Sequence, residues 1–235
     1  MATDRPDHIM IRKRPFSHAK ICELLSPYLS RERAQRINDV IQNRTRSIVT
    51  VVEGITNYGN VSAVMRTAEA LGFFEVHVVT SDQPYKQSRR TSQGAEKWLD
   101  VKRWRKSAEC IGDLKERGYQ IAVADSGSDA VPLSRVDFLR KTAIVLGNEV
   151  EGVSEDFRAA SDVVCRIDMI GFVESYNISV AAALLLYHAH LACASGRNDG
   201  GDLSAAEKQA LTAQYYLRAV QRAEEILLET DRRAD

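Results

Sequence analysis

Asn60 and Arg66 are the first residues in the chain whose types and spacing could do chemistry. They lie six positions apart in a helical pattern that follows a predicted strand. An amide can orient a sugar hydroxyl, and a guanidinium can hold a phosphate or stabilise an oxyanion. A structural interpretation is also available, in which Asn60 caps the helix and Arg66 pairs with Glu69. This segment alone leaves both interpretations open.

Two further polar segments follow later strands. Residues 146–154 place Glu149 between two glycines, which indicates either a turn that a ligand approaches closely or a loop that merely needs turn residues. In residues 167–179, Ser175 and Asn177 precede an alanine-rich helix, and both types are good N-caps. Capping does not explain the apolar residues before them, which predict a wall for a planar ligand.

The segments are positioned by alternating strand and helix patterns. Strands are predicted at residues 47–53, 76–80, 119–125, 142–147 and 163–167, and helices at 57–71, 107–117, 154–160 and 179–194. This alternation predicts an α/β fold with a largely parallel sheet. Because such sheets bind ligands at the carboxyl ends of their strands, we expect the three polar segments to meet at one edge.

Several classes of protein are disfavoured. No strand is followed by a G-x-G-x-x-G or a G-x-x-x-x-G-K-[ST] sequence, which argues against dinucleotide oxidoreductases and phosphate-loop enzymes. The four cysteines are scattered without metal-ligand spacing, so we expect free thiols. The longest uninterrupted apolar stretch is too short to cross a bilayer and the N-terminus lacks a signal core, so we expect a cytoplasmic protein.

Basic residues are concentrated although the net charge is zero. Residues 1–46 hold ten Lys or Arg against five acids, and residues 86–106 hold eight against two. Such clusters suit the phosphates of RNA, although a solvated basic face is the alternative. The residues expected to contact RNA are Arg36, Arg44, Arg89, Arg90, Lys97, Lys102, Arg103 and Arg105.

Taken together, the three segments resemble the signature motifs of the SpoU family of RNA 2′-O-ribose methyltransferases, part of the SPOUT superfamily. The matching patterns are N-x-x-x-x-x-R, G-N/A-E-x-x-G-[LV]-[SP] and I-x-M-x-G-x-x-x-S-x-N-[VI]-[SA]-x-A, in that order. The resemblance covers about residues 47–194. Residues 91–98 and the basic lead further resemble the tRNA branch of the family, called TrmH.

The resemblance implies a fold and a cofactor. It implies a SPOUT-type α/β knot, with a parallel sheet and a C-terminal trefoil knot in residues 47–195, between a basic helical extension at 1–46 and a linker and helix at 196–235. It implies a homodimer that binds S-adenosylmethionine mostly through backbone groups. The implied cofactor contacts are Ala124, Leu146, Gly147, Ile167, Met169 and Tyr176.

The resemblance also implies the reaction, which is 2′-O-methylation of tRNA, with a D-loop guanosine favoured. Arg66 would be the main catalytic residue, either by assisting proton transfer or, as we prefer, by staying charged and stabilising the developing alkoxide. Asn60 would orient the ribose, and Glu149, Ser175 and Asn177 would shape the site without any metal. A ribosomal RNA methyltransferase and a non-catalytic RNA-binding protein on the same fold are the alternatives.

Overall fold

The computed structural model describes residues 7–55, 57–80, 94–148, 151–173, 175–196 and 201–232. The chain forms two compact units, one of Met1–Arg44 with Gly200–Asp235 and one of Thr45–Asp199. The two terminal segments, predicted as separate extensions, therefore belong to one unit.

The helices are α1 His18–Leu25, α2 Arg31–Gln42, α3 Tyr58–Ala70, α4 Ser107–Glu116, α5 Glu155–Ala160, α6 Ile178–Gly196, α7 Ala205–Ala219 and α8 Ala223–Arg232. The strands are β1 His8–Ile11, β2 Arg14–Ser17, β3 Ile48–Glu53, β4 Glu75–Val79, β5 Asp100–Trp104, β6 Gln120–Ala124, β7 Val131–Pro132, β8 Thr142–Leu146 and β9 Val163–Arg166.

The larger unit is built on a seven-stranded sheet with the order β5-β4-β3-β8-β6-β9-β7. Its strand pairings are all parallel, which confirms the predicted α/β class. Strands β3, β4 and β5 extend the sheet in one direction, whereas β8 lies between β3 and β6. The strand order therefore reverses at β3 and β8, and α/β sheets bind ligands at such reversals.

The core of this unit follows from the alternation of side chains along the strands. Val49, Ala143 and Ile121 lie side by side in the registers of β3, β8 and β6, and all three are fully buried. They pack in one cluster with Leu114 of α4 and Phe157 of α5. Helices α3 and α6 pack against each other, and α6 also contacts β8. The β-branched runs of the sequence are therefore interior strands of a sheet.

Helix α6 has two distinct faces. One face is buried and includes Ala182, Leu185 and Ala189. By length and composition alone the helix could cross a membrane, a test that the core helix of a soluble protein also passes. The packing of its buried face against α3 and β8 is what a core helix would have.

The smaller unit contains a β-hairpin that the sequence analysis does not predict. Strands β1 and β2 pair antiparallel around Arg12 and Lys13, which both have positive φ. Hairpin turns of this kind usually contain Asn or Gly, so the sequence carries no turn signal there. The expected single C-terminal helix is also wrong, because it is divided into α7 and α8 by Val220, which is extended, and Arg222, which has φ of 55°.

A further strand, β5, lies in the basic segment. It pairs in parallel with β4 through residues Asp100 to Trp104. The sequence predicts only an RNA-contacting cluster in this stretch, because the charged residues hide the strand pattern. As an edge strand beside β4 it tolerates this polarity.

Candidate functional site

A cleft of about 500 Å³ opens where β6, β8 and β9 end. Its walls include the last residues of these strands, the residues that follow them and the first half of α6. The strand ends meet there because parallel strands end on the same edge of a sheet. All six residues proposed to contact the cofactor line this cleft: Ala124, Leu146, Gly147, Ile167, Met169 and Tyr176. We call it the cofactor cleft.

The turn after β8 is closed by backbone groups. Asn148 and Gly152 exchange two backbone hydrogen bonds of 3.0 Å, and the Glu151 N–H donates to Asn148 Oδ1 at 2.8 Å. A Cβ at Gly147 would lie 2.0 Å from the Gly152 carbonyl oxygen, so any larger residue would push the turn open. Glu149, predicted to shape the site, lies outside the described residues.

Asn177 joins the first and third motifs. Its Oδ1 accepts hydrogen bonds from the Ser179 N–H at 2.9 Å and the Ser179 hydroxyl at 2.5 Å, which caps the start of α6. Its Nδ2 then donates to Asn60 Oδ1 at 3.5 Å. Ser175 lines the cofactor cleft beside Tyr176. The amide of Asn177 therefore both caps α6 and contacts the first motif.

The predicted cap of α3 needs correction. The N-cap is Asn57, whose Oδ1 accepts from the Gly59 N–H at 2.9 Å, and Asn60 lies in the first turn of the helix. Asn60 is therefore not the N-cap, and its side chain contacts Asn177.

Arg66 is exposed on α3 and is not among the residues that line the cofactor cleft. Among the described residues it makes no hydrogen bond or ion pair, so the structural alternative of a pair with Glu69 has no support. Its neighbours on the helix, Val64 and Met65, are fully buried. The guanidinium therefore lies on the solvent-exposed face of a helix whose opposite face is buried.

Large apolar side chains are exposed beside the cleft. Ile170 and Phe172, which follow β9, are completely exposed. Four residues of α6 at helical spacing form an exposed stripe, which we call the α6 stripe: Val180, Leu184, Tyr187 and Leu191. An apolar patch of this kind on a soluble protein indicates a contact surface.

The predicted RNA-contacting residues fall into three groups. Exposed positions are occupied by Arg36, Lys97, Arg103 and Arg105. Arg89 and Arg90 lie outside the described residues. The prediction for Arg44 is wrong, because only 1% of the residue is exposed and it cannot contact the RNA backbone. Its position before the first long strand gave no sign of burial.

Lys102 is the second correction. Its Nζ lies 3.2 Å from both carboxylate oxygens of Asp113 and 3.4 Å from Glu75 Oε1, with about a third of the side chain exposed. Its charge is therefore engaged within the protein rather than offered to RNA.

Lys102 belongs to a buried charge network around Glu75, which the sequence analysis missed. Glu75 is fully buried on β4 and accepts hydrogen bonds from Arg117 at 2.5 and 2.8 Å and from Arg46 at 3.3 Å. Burial would raise the pKa of Glu75, but the bonds from His77 and Arg117 and the charges of Arg117 and Lys102 outweigh it and hold the pKa well below its usual range. The sequence signal for this network is a glutamate and a histidine two residues apart in an otherwise β-branched strand.

The same network fixes the histidine tautomer. Trp104 can only donate, so its indole N–H donates to His77 Nδ1 at 3.2 Å. His77 Nε2 then carries the proton and donates to Glu75 Oε1 at 2.9 Å. Glu75, His77 and Asp113 could by geometry hold a metal ion, but Lys102 and Arg117 already neutralise the carboxylates. We therefore assign this cluster to ion pairing.

Comparisons with known proteins identify the family of the chain. The family model described as the SpoU rRNA Methylase family matches residues 47–187. The chain is 32% identical to a tRNA (guanosine(18)-2′-O)-methyltransferase of Borreliella burgdorferi over 84% of this chain and 90% of that one. The crystal structure of the A. aeolicus TrmH/SpoU tRNA modifying enzyme has a TM-score of 0.74 and 27% identity, and covers 81% of this chain and 98% of that one.

A further solved structure contains the cofactor. The SpoU methyltransferase AviRb from Streptomyces viridochromogenes, in complex with AdoMet, has a TM-score of 0.58 and 25% identity, with 67% of this chain and 65% of that one covered. The resemblance inferred from the three motifs is confirmed, because the family model spans all of them. The chain belongs to the SpoU rRNA Methylase family.

Proposed function

We propose that this protein methylates the 2′-hydroxyl of guanosine 18 in the D-loop of tRNA, with S-adenosylmethionine as the methyl donor. One observation carries the proposal: the cofactor cleft gathers all six expected cofactor residues and is joined through Asn177 to Asn60 of the first motif. The Borreliella relative whose name states this reaction is matched across 90% of its length.

The cofactor cleft fits S-adenosylmethionine. Its volume of about 500 Å³ lies in the range of small-ligand sites. Leu146, Ile167 and Met169 offer apolar walls for a flat base, and the turn held closed by Gly147 brings backbone groups close to a ligand. When bound, the cofactor would supply an electrophilic methyl group on a sulfonium, so the reaction needs no metal.

The residues of the first motif would act on the RNA. A ribose hydroxyl is a poor nucleophile at neutral pH, and an arginine stays protonated in almost any environment. Arg66 would therefore bind the neighbouring phosphate and stabilise the negative charge that develops on the 2′-oxygen, while the hydroxyl proton leaves to solvent water. Asn60, with its Oδ1 facing the Asn177 amide, would turn its own Nδ2 donor toward the ribose. Glu149 and Ser175 would shape the site.

Two features of the family architecture are part of the proposal. The first is a trefoil knot in the C-terminal part of the sheet, which is compatible with the position of β8 between β3 and β6. The second is a homodimer formed through the α6 stripe, which would cover side chains that are otherwise in water. A cytoplasmic location suits the substrate.

A ribosomal RNA substrate is the second candidate, because the matching family model is described by that activity. The extent of the match to the Borreliella tRNA enzyme, 84% of this chain, favours tRNA. A non-catalytic role is disfavoured, since Asn60 and Arg66 are both retained.

Transfer of labelled methyl from S-adenosylmethionine to unmodified transcripts tests the proposal. We expect 2′-O-methylguanosine at position 18 of tRNA on nucleoside analysis and primer extension. Label confined to ribosomal RNA would replace the substrate, and no label in either RNA despite bound cofactor would support the non-catalytic alternative.

A further inference from the structure

A second cleft, of about 410 Å³, adjoins the cofactor cleft. The two clefts share Asn148, Glu151 and Gly152, so one closed turn lines both. The second cleft also receives the end of β3 and the link from β5 to α4. A molecule held in the second cleft would be separated from the cofactor cleft only by this turn.

The floor of the second cleft is fixed by Glu53. This side chain is buried, and its Oε1 accepts from the Ser107 hydroxyl at 2.5 Å and the Ser154 hydroxyl at 2.8 Å. Its Oε2 accepts from the Ser154 N–H at 2.8 Å. These bonds tie α4 and α5 to the end of β3, so Glu53 holds the walls in place and is not available to a ligand.

Charged side chains of opposite sign line the cleft without pairing. Arg105 and Asp156 are exposed, and neither side chain makes a hydrogen bond or ion pair with any residue that the structure describes. Lys106 also lines the cleft, is exposed, and makes no hydrogen bond or ion pair with the described residues. A ligand that matches both signs must offer hydrogen-bond donors on one side and acceptors on another.

Guanine has this arrangement. Its N1–H and 2-amino group form a pair of donors that suits a carboxylate, and its O6 and N7 form a pair of acceptors that suits a guanidinium. We propose that the second cleft binds the guanine base of the nucleoside whose ribose is methylated, with Asp156 on the N1 and 2-amino donors and Arg105 on O6 and N7. This inference rests on the proposed function and adds to it the device that selects guanosine.

The test compares tRNA carrying guanosine or inosine at the methylated position, because inosine lacks only the 2-amino group. For the wild-type protein we expect kcat/KM to be roughly 10-fold to 100-fold lower with inosine, the effect of losing a hydrogen bond to a charged group. Asp156→Asn should lose most of this discrimination. Glu155→Gln is the matched control, since Glu155 is exposed in the same helical turn but does not line the cleft.

Comparing the ratio between variants cancels any effect of inosine on RNA folding. A second pair of substrates, guanosine and 7-deazaguanosine, tests Arg105 in the same way, because the deaza base lacks the N7 acceptor. Arg105→Ala should discriminate less than the wild type, whereas Arg103→Ala, outside the cleft, should keep the wild-type ratio.

Three outcomes decide the inference. Equal discrimination by wild type and Asp156→Asn overturns it, and so does equal methylation of guanosine and inosine by the wild type. In both cases methyl transfer to tRNA still occurs, so the proposed function survives. A complete absence of transfer to the guanosine tRNA overturns the proposed function and this inference with it.

Discussion

Replacing Glu75 with glutamine would leave three cations around a neutral buried side chain. Arg117, Arg46 and Lys102 lie between 2.5 and 3.4 Å from its carboxylate, which is completely inaccessible to solvent. Removing one partner of a buried ion pair typically costs about 3–5 kcal/mol, because the remaining charge is left uncompensated. For a chain of this size we expect Tm to fall by roughly 6–20 °C.

The matched control is Asp113→Asn, since Asp113 contacts two of the same cations but is about a quarter exposed. Solvent screens the charges around Asp113, so the Tm of Asp113→Asn should fall by much less than that of Glu75→Gln. Thermal melts followed by circular dichroism measure both changes, and Trp104, which donates to His77, reports the site by fluorescence. A Glu75→Gln protein that melts within about 2 °C of the wild type would refute the argument.

The pH dependence gives an independent check. The network lowers the pKa of Glu75, so its contribution to the free energy of unfolding is present above the unfolded pKa of about 4.3 and is lost as pH falls toward the folded pKa. The stability gap between wild type and Glu75→Gln should therefore stay constant from pH 7 to about 5 and narrow below about pH 4. Urea titrations at each pH measure the gap, and a constant gap down to pH 3 would contradict the assignment.

Arg66→Ala should lower kcat/KM roughly 100-fold to 1000-fold without changing cofactor affinity by calorimetry, and loss of both would indicate a structural residue. Leu184→Glu, at the centre of the α6 stripe, should convert a dimer to a monomer in light scattering. Gly147→Ala should weaken cofactor binding and lower stability by about 1–3 kcal/mol in melts, because its Cβ meets the Gly152 carbonyl at 2.0 Å. Arg36→Ala should reduce the salt slope of RNA binding by about 1, because Arg36 is exposed, whereas Lys102→Ala, whose charge is already paired with Asp113, should leave the slope unchanged.

The order of the sheet explains why the meeting of the later polar segments at one edge could be predicted from the sequence. Each β-branched run is an interior strand, so its bounds are marked by a change of composition within one or two residues. Parallel strands end at the same edge, which brings together segments separated by more than forty residues, such as Ala124 and Tyr176. Gly147 marks the point of closest backbone approach, and only glycine fits there.

Side-chain partners could not be predicted in the same way. Arg44 and Arg105 look alike in the sequence, yet the first is buried and the second lines a cleft. Lys102 falls in a basic run but pairs with Asp113, eleven residues later on another element. The burial and pairing of these side chains depend on which helix packs against which strand, and the local composition does not determine that packing. The hairpin around Lys13 was missed for a different reason, since its turn uses residues that rarely adopt positive φ.

The arginines of the larger unit differ in role. Arg46 and Arg117 are mostly buried and both reach Glu75, so removing either would disturb the fold. Arg66 sits on a helix whose opposite face is buried, and an acid lies three residues away at a spacing that favours pairing. Within the described part of the chain that pair does not form. A guanidinium without a partner among the described residues is available to bind a ligand. Loss of Arg66, unlike loss of Arg46 or Arg117, should therefore affect methyl transfer without affecting stability.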